Sequence, residues 1–323
     1  MLKRGALLAA ANWPVALIQS AADSLFKLLI AAPLIGGIFL AALVVGAEPR
    51  SLMSLDSREL AATIVSALLS HPLVLASFLL SLGVVVVGGS VFVFLIKGGT
   101  VGVLVRAERE AVAVEQPPLH LHVVASASRF SIELFIESAR ALFPRYVRLG
   151  FTLMGVYLLS GGLYLAGVVA SRNAGGSWLT PTLLTALFVC WITLVNFVYL
   201  LVQIVIAADD CPAATAAGRV VAFLRHERRE VWGVFLVILA MVIFATGASL
   251  LATAALGLIA VVPFVGLTVL PLEILAWLFR ELVFEYIGLA SIGAYLRLYR
   301  EYSLAVATTG LPSGYPVLGP ASH

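Results

Sequence analysis

Between Arg148 and Asp209 the chain runs through two long apolar stretches, and the only formal charge inside them is Arg172, in the short segment that separates them. From Val231 to Leu272 there is no charged residue at all. Runs of about 20 apolar residues match the ~30 Å hydrocarbon core of a bilayer at ~1.5 Å rise per residue, so they predict membrane-spanning helices. The pattern predicts six, over 26–46, 73–96, 150–170, 182–207, 231–255 and 273–296. The expected fold is all-α: a polytopic membrane protein with one transmembrane unit over 1–307. The Gly-, Pro- and Ser-rich tail, 308–323, is expected to be disordered.

Segment 256–272 breaks the regularity. It is apolar but holds Pro263 and Pro271, which disfavour a continuous helix. It reads as a tight external turn, a re-entrant piece or the start of the last helix. A seventh span there would export Arg297 and Arg300. Between the spans, 57–70, 130–146 and 213–230 alternate apolar and charged positions at helical spacing and read as interfacial amphipathic helices. Segment 114–122, with Pro117 and Pro118, reads as a loop. Each pair of spans is preceded by a surface helix, at 13–26, 130–148 and 213–230. Ser20-Ala-Ala-Asp-Ser-Leu-Phe and Ser138-Ala-Arg-Ala-Leu-Phe resemble each other at corresponding places, which suggests three tandem hairpins; chance likeness between Ala-rich helices is the alternative.

Composition strengthens the membrane reading. Of the 323 residues 62% are hydrophobic and 11% charged, with mean hydropathy +1.08, whereas a soluble domain carries roughly 25% charged residues. A net charge of +3 is too small to suggest nucleic-acid binding. Placement of the cations says more. With both termini in the cytoplasm, only Arg50, Arg58 and Arg172 face outward, and Arg280 lies within the last span; all other lysines and arginines stay inside, as the positive-inside rule requires. The expected location is a bacterial inner membrane. Met1-Leu-Lys-Arg followed by small residues mimics a signal peptide, but Trp13-Pro14 interrupts the apolar run. A short cytoplasmic helix before the first span is the preferred reading. Cys190 and Cys211 share no aqueous compartment, so no disulfide is expected.

Catalytic signatures are missing: there is no Walker or GxGxxG phosphate loop, no HExxH and no spaced Cys/His set. No metal, no cofactor and no enzymatic activity are expected. His120 and His122 read as loop residues. Asp209 and Asp210 precede a surface helix, where they are expected to cap its positive end, with Pro212 at an early helical position.

Two polar stripes within the spans are the candidate intramembrane site. In the last span Glu273, Arg280, Glu281, Glu285, Ser291 and Tyr295 share one broad face at ~100° per residue. In the fourth, Thr182, Thr185, Thr193, Asn196, Tyr199 and Gln203 share another. An acid or arginine at mid-depth costs ~2.5–3.5 kcal/mol, so such groups look into the bundle, into water or at one another. Three readings stand: a polar pathway binding a proton, cation or amine at Glu281 and Glu285; hydrogen-bonded glue between helices; or, if the last helix starts near Pro263, a solvated end at the cytoplasmic boundary. The run Arg225-His226-Glu227-Arg228-Arg229 borders the fifth span, where Arg225, Arg228 and Arg229 are candidate contacts for anionic lipid headgroups.

Ala207-Ala208-Asp209-Asp210 leading into 213–223, a span from Trp232, and the closing Gly293-Ala294-Tyr295-Leu296-Arg297-Leu298-Tyr299 together resemble a loose group of bacterial six-span proteins. The group includes the membrane domain fused to some glycerophosphodiester phosphodiesterases. The resemblance implies a membrane domain without that enzyme's soluble catalytic barrel, and so without its hydrolase activity. The expected function is a non-catalytic accessory or structural membrane domain. Its partners would be the lipid bilayer, anionic lipids, a second copy of the chain or other membrane proteins. The alternative is a secondary transporter with a path near Glu281 and Glu285.

Overall fold

The computed structural model describes residues 1–46, 59, 66, 69–111, 121–173, 179–260 and 266–309. The loop expected over 114–122 lies outside them up to 120, as do most of 57–70 and the tail from 310. The described residues form helices and no strand: α1 (Leu2–Ala11), α2 (Trp13–Val45), α3 (Pro72–Glu110), α4 (Leu121–Ser126), α5 (Ile132–Asn173), α6 (Leu179–Asp209), α7 (Ala213–His226), α8 (Arg228–Ala260) and α9 (Gly266–Thr309). The chain is all-α, and five helices, α2, α3, α5, α6 and α8, are long and apolar enough to cross a membrane.

The helices overshoot their apolar cores. α3, α5 and α9 have 39, 42 and 44 residues, so each is ~60 Å long, about twice the ~30 Å hydrocarbon thickness. The stretches expected as separate surface helices, 13–26 and 130–148, are the first parts of α2 and α5. Pro144 removes one helical donor at a cost of ~3 kcal/mol, yet α5 runs through it. Ala139, Leu142, Tyr146 and Gly150 continue one buried face across the proline, and their packing offsets the lost bond. Among the described residues, the expected surface helix that stands apart as a helix of its own is α7, within 213–230. Residues 256–260 complete α8, and 266–272 open α9 with Pro271 inside it.

Two compact units are present: Met1–Leu17 with Lys97 onward, and Ile18–Ile96. In the second, α2 and α3 pair antiparallel. Phe26 meets Gly89 and Gly37 meets Phe78, an equal step along each helix in opposite directions. A Cβ on Gly37 would lie 2.6 Å from the Phe78 ring, so the missing side chain is what lets these helices approach.

Among its apolar helices the first unit buries α6, 39% of whose most apolar segment is covered, far more than α5 or α8. None of the most apolar eighteen residues of α5 is buried, and only 6% of those of α8 are. Buried side chains cluster instead toward the basic helix ends: Leu8, Val101, Leu104, Tyr146, Leu201, Ile204, Ile206, Phe223, Leu289 and Tyr295. α1 lies so close against α9 that a Cβ on Gly293 would sit 2.9 Å from the Gly5 Cα, and one on Gly5 would strike the Ala290 carbonyl.

Candidate functional site

Polar chemistry gathers at the packed end. Arg4 and Glu108 are 3% and 2% exposed and form a buried ion pair with Nε to Oε2 at 2.8 Å. Arg4 Nη2 also donates to the Ala111 carbonyl at 3.1 Å. From α9, Arg297 approaches Glu108 Oε1 at 3.7 Å, and Arg300 donates to the Glu108 carbonyl at 2.9 Å. Glu108 thus ties α1, α3 and α9 together. A buried pair of this kind tolerates its desolvation only when further hydrogen bonds satisfy it, and these contacts supply them. Sequence reasoning missed it. The available signal was position: Glu108 falls one heptad after Val101, on the face of Leu104, and Arg4 falls one turn before Leu8.

Asn12, between α1 and α2, is fully buried with both amide ends used. Its Nδ2 donates to the Leu8 and Ala127 carbonyls at 3.0 and 3.4 Å, and its Oδ1 accepts from the Arg129 and Phe130 amides at 2.9 and 3.1 Å. Beside it Arg129 pairs with Glu110 at 2.7 Å. Burial works against the Glu110 charge, but the Arg129 and Arg106 hydrogen bonds outweigh it and hold the carboxyl below its usual range.

Asp209 and Asp210 do not cap α7: its N-cap is Pro212, with no side-chain cap bond. Asp210 adopts φ +49°, a left-handed turn that suits Asp, and this aims both carboxylates elsewhere. Asp209 binds Arg219 and accepts from the Tyr299 hydroxyl, while Asp210 binds Arg145. The stretches around Asp209 and Tyr299 that carried the family resemblance therefore meet in space. Burial, and then the Asp209 carboxylate, push the Tyr299 hydroxyl up. Cys211 is buried beside this group, and burial raises its thiol.

The fourth-span stripe turns toward α5. Tyr164 and Thr185 share a 2.9 Å hydrogen bond, the Tyr157 hydroxyl donates to Asn196 Oδ1, and the Tyr146 hydroxyl donates to the Gln203 carbonyl at 2.9 Å. The Tyr199 hydroxyl and Gln203 Nε2 are buried with no hydrogen-bond partner among the described residues. Tyr295 meets α6 on another face, edge-on to Phe197 at 5.6 Å, and its own hydroxyl is likewise unpartnered. In α9, Glu273 is exposed, Arg280 and Glu285 are half-buried, and Glu281 is 8% exposed, 3.5 Å from Arg280 Nη2. The Tyr286 hydroxyl donates to the Ala6 carbonyl at 3.0 Å, which places this part of α9 beside α1.

The cations divide by direction. Arg4, Arg106, Arg129, Arg145, Arg219, Arg280 and Arg297 pair with carboxylates. Arg225, Arg228 and Arg229 are exposed and have no acidic partner among the described residues, and Trp232, one turn on, is 43% exposed. The apolar face of α7, with Ala216, Val220 and Phe223, packs inward, Phe223 standing edge-on to Tyr299. No Cys, His, Asp and Glu cluster able to hold a metal occurs among the described residues. His120 lies outside them. In comparisons with known proteins, no family, no curated protein and no solved structure matches the chain.

Proposed function

We propose that the chain is a six-span protein of a bacterial inner membrane with both termini in the cytoplasm. It acts without catalysis of its own, as an accessory or structural membrane domain that binds lipid and partner helices. The observation that carries this reading is the exposure of the apolar segments. Leu158, Leu159, Leu163 and Leu165 of α5 and Leu236, Ile243, Phe244, Leu250 and Leu251 of α8 each stand more than 60% exposed. Contiguous apolar surface on this scale requires acyl chains or other helices to cover it.

Hydrogen bonding along the same segments agrees. Hydroxyls of Ser77, Thr152, Ser160, Thr193, Thr246 and Thr253 each bond back to the carbonyl four residues earlier. They ask nothing of a surrounding solvent, as a hydrocarbon medium demands. The sixth span would be the apolar part of α9, 273–296, with Arg297 and Arg300 at its cytoplasmic end. Arg225, Arg228 and Arg229, beside an exposed tryptophan, fit the headgroup plane of an anionic leaflet at ~1 kcal/mol per cation.

Native mass spectrometry after extraction in mild detergent tests the proposal. Retained phospholipid or a stable assembly is the expected result; a lone, lipid-free monomer contradicts it. Replacing Glu281 and Glu285 by Gln separates this reading from a carrier, because intact assembly with lost solute flux would assign transport instead.

A further inference from the structure

The inner end of the α5–α6 contact leaves two buried polar groups without a partner among the described residues. Gln203 is 3% exposed, and its Nε2 carries two N–H groups with no partner among the described residues. The Tyr199 hydroxyl, one helical turn away on the same face of α6, is equally buried and unpartnered. Neither group has an acceptor within hydrogen-bonding reach among the described residues. The polar groups nearby are engaged with one another instead: Tyr146 donates to the Gln203 carbonyl, and Tyr157 donates to Asn196 Oδ1. Buried donors without acceptors are costly enough that native proteins place a water or a ligand there. The charges at this end, Arg145 with Asp210 and Arg219 with Asp209, already pair with each other, so a charged occupant would be unpaired and disfavoured.

We propose that Gln203 Nε2 and Tyr199 Oη hold an uncharged acceptor oxygen, either an ordered water or the ester carbonyl of a phospholipid. The inference rests on reading α5 and α6 as membrane spans. Asp209 and Asp210, with Arg145 and Arg219, lie between one and two turns beyond Gln203. That puts the two donors just inside the charged end, at the depth where ester groups and interfacial water both occur. Tyr146, fully buried, reaches the same turn of α6 from the α5 side through its bond to the Gln203 carbonyl.

The test compares Gln203→Met, Tyr199→Phe and the double variant, reconstituted in diester and in diether phosphatidylglycerol bilayers, by the midpoint of thermal unfolding. Each single substitution is expected to lower the midpoint by several degrees. The double is expected to lower it by less than the two together, because both donors hold one atom. Loss in both lipids assigns the oxygen to water, and loss in the diester lipid alone assigns it to the ester carbonyl. Single variants that leave the midpoint unchanged or raise it overturn the proposal, since removing a donor that truly has no acceptor relieves the fold. Lipid-free monomers on extraction would sink the accessory-domain reading and still leave this comparison readable.

Discussion

Replacing Glu108 by Leu should destabilise the protein more than any other single change at the packed end. The side chains of Arg4 and Glu108 are 4% and 3% exposed, so neither charge can fall back on water when its partner is gone. Removing one member of a buried pair costs ~3–5 kcal/mol, because the survivor stays desolvated and uncompensated. The two partners are not equivalent here. Glu108→Leu takes the carboxylate away from two cations, Arg4 and Arg297, whereas Arg4→Met leaves Glu108 with Arg297 at 3.7 Å. Glu108→Leu is therefore expected near the top of that ~3–5 kcal/mol range and Arg4→Met below it. The double variant should return to within ~1–2 kcal/mol of the parent, since an apolar pair of similar volume replaces the ions. Equilibrium unfolding in mixed micelles, followed by tryptophan fluorescence, reads all three. A loss under ~1 kcal/mol for Glu108→Leu, or a double variant equal to the sum of the singles, would refute the reasoning.

Asp209→Asn removes a charge-assisted bond to Arg219 and weakens that to Tyr299, and should cost ~1.5–3 kcal/mol in the same unfolding assay. Gly5→Val should prevent α1 from docking on α9, detectable as protease sensitivity near the N-terminus, because a Cβ there meets the Ala290 and Ala294 backbone. Gly247→Ala, with nothing within 4 Å of the added methyl, should instead be neutral or stabilise by up to ~1 kcal/mol. Burial raises the Cys211 thiol above its ordinary 9.0, so less thiolate is present at any given pH. Its alkylation should be slow at pH 8 and keep accelerating above pH 9, and a rate that levels off below that would count against the buried placement.

The apolar segments were legible because each depends only on its own residues: length and hydropathy marked the five apolar helices wherever the tertiary structure put them. Their ends were not. Continuity of 130–148 into α5 depends on a packed face that carries the helix across Pro144, and that face needs α3 beside it, with Gly99 against Phe135 and Gly102 against Ser138. Arg4 and Glu108 lie 104 positions apart; each fell on an apolar stripe, but nothing local named the partner. Asp209 and Asp210 read as helix caps because the sequence shows the helix that follows and hides Arg145, Arg219 and Tyr299. The Thr185, Asn196 and Gln203 stripe was visible by spacing. Its neighbour, the tyrosine row of α5, obeys the same spacing, with Tyr146, Tyr157 and Tyr164 recurring at 11 and 7 residues on one helical face, but nothing local said that the two rows face each other.

What decides the matter is which side of a bilayer the two ends of the long helices face. Single cysteines at Arg172 and at Arg225, in a background lacking Cys190 and Cys211, can be challenged with a membrane-impermeant maleimide in spheroplasts before and after permeabilisation. Arg172→Cys should label at once and Arg225→Cys only after the membrane is opened. Labelling of Arg225→Cys in sealed spheroplasts, or recovery of the protein in the aqueous fraction, would contradict a chain that crosses the membrane with its packed, arginine-rich end in the cytoplasm.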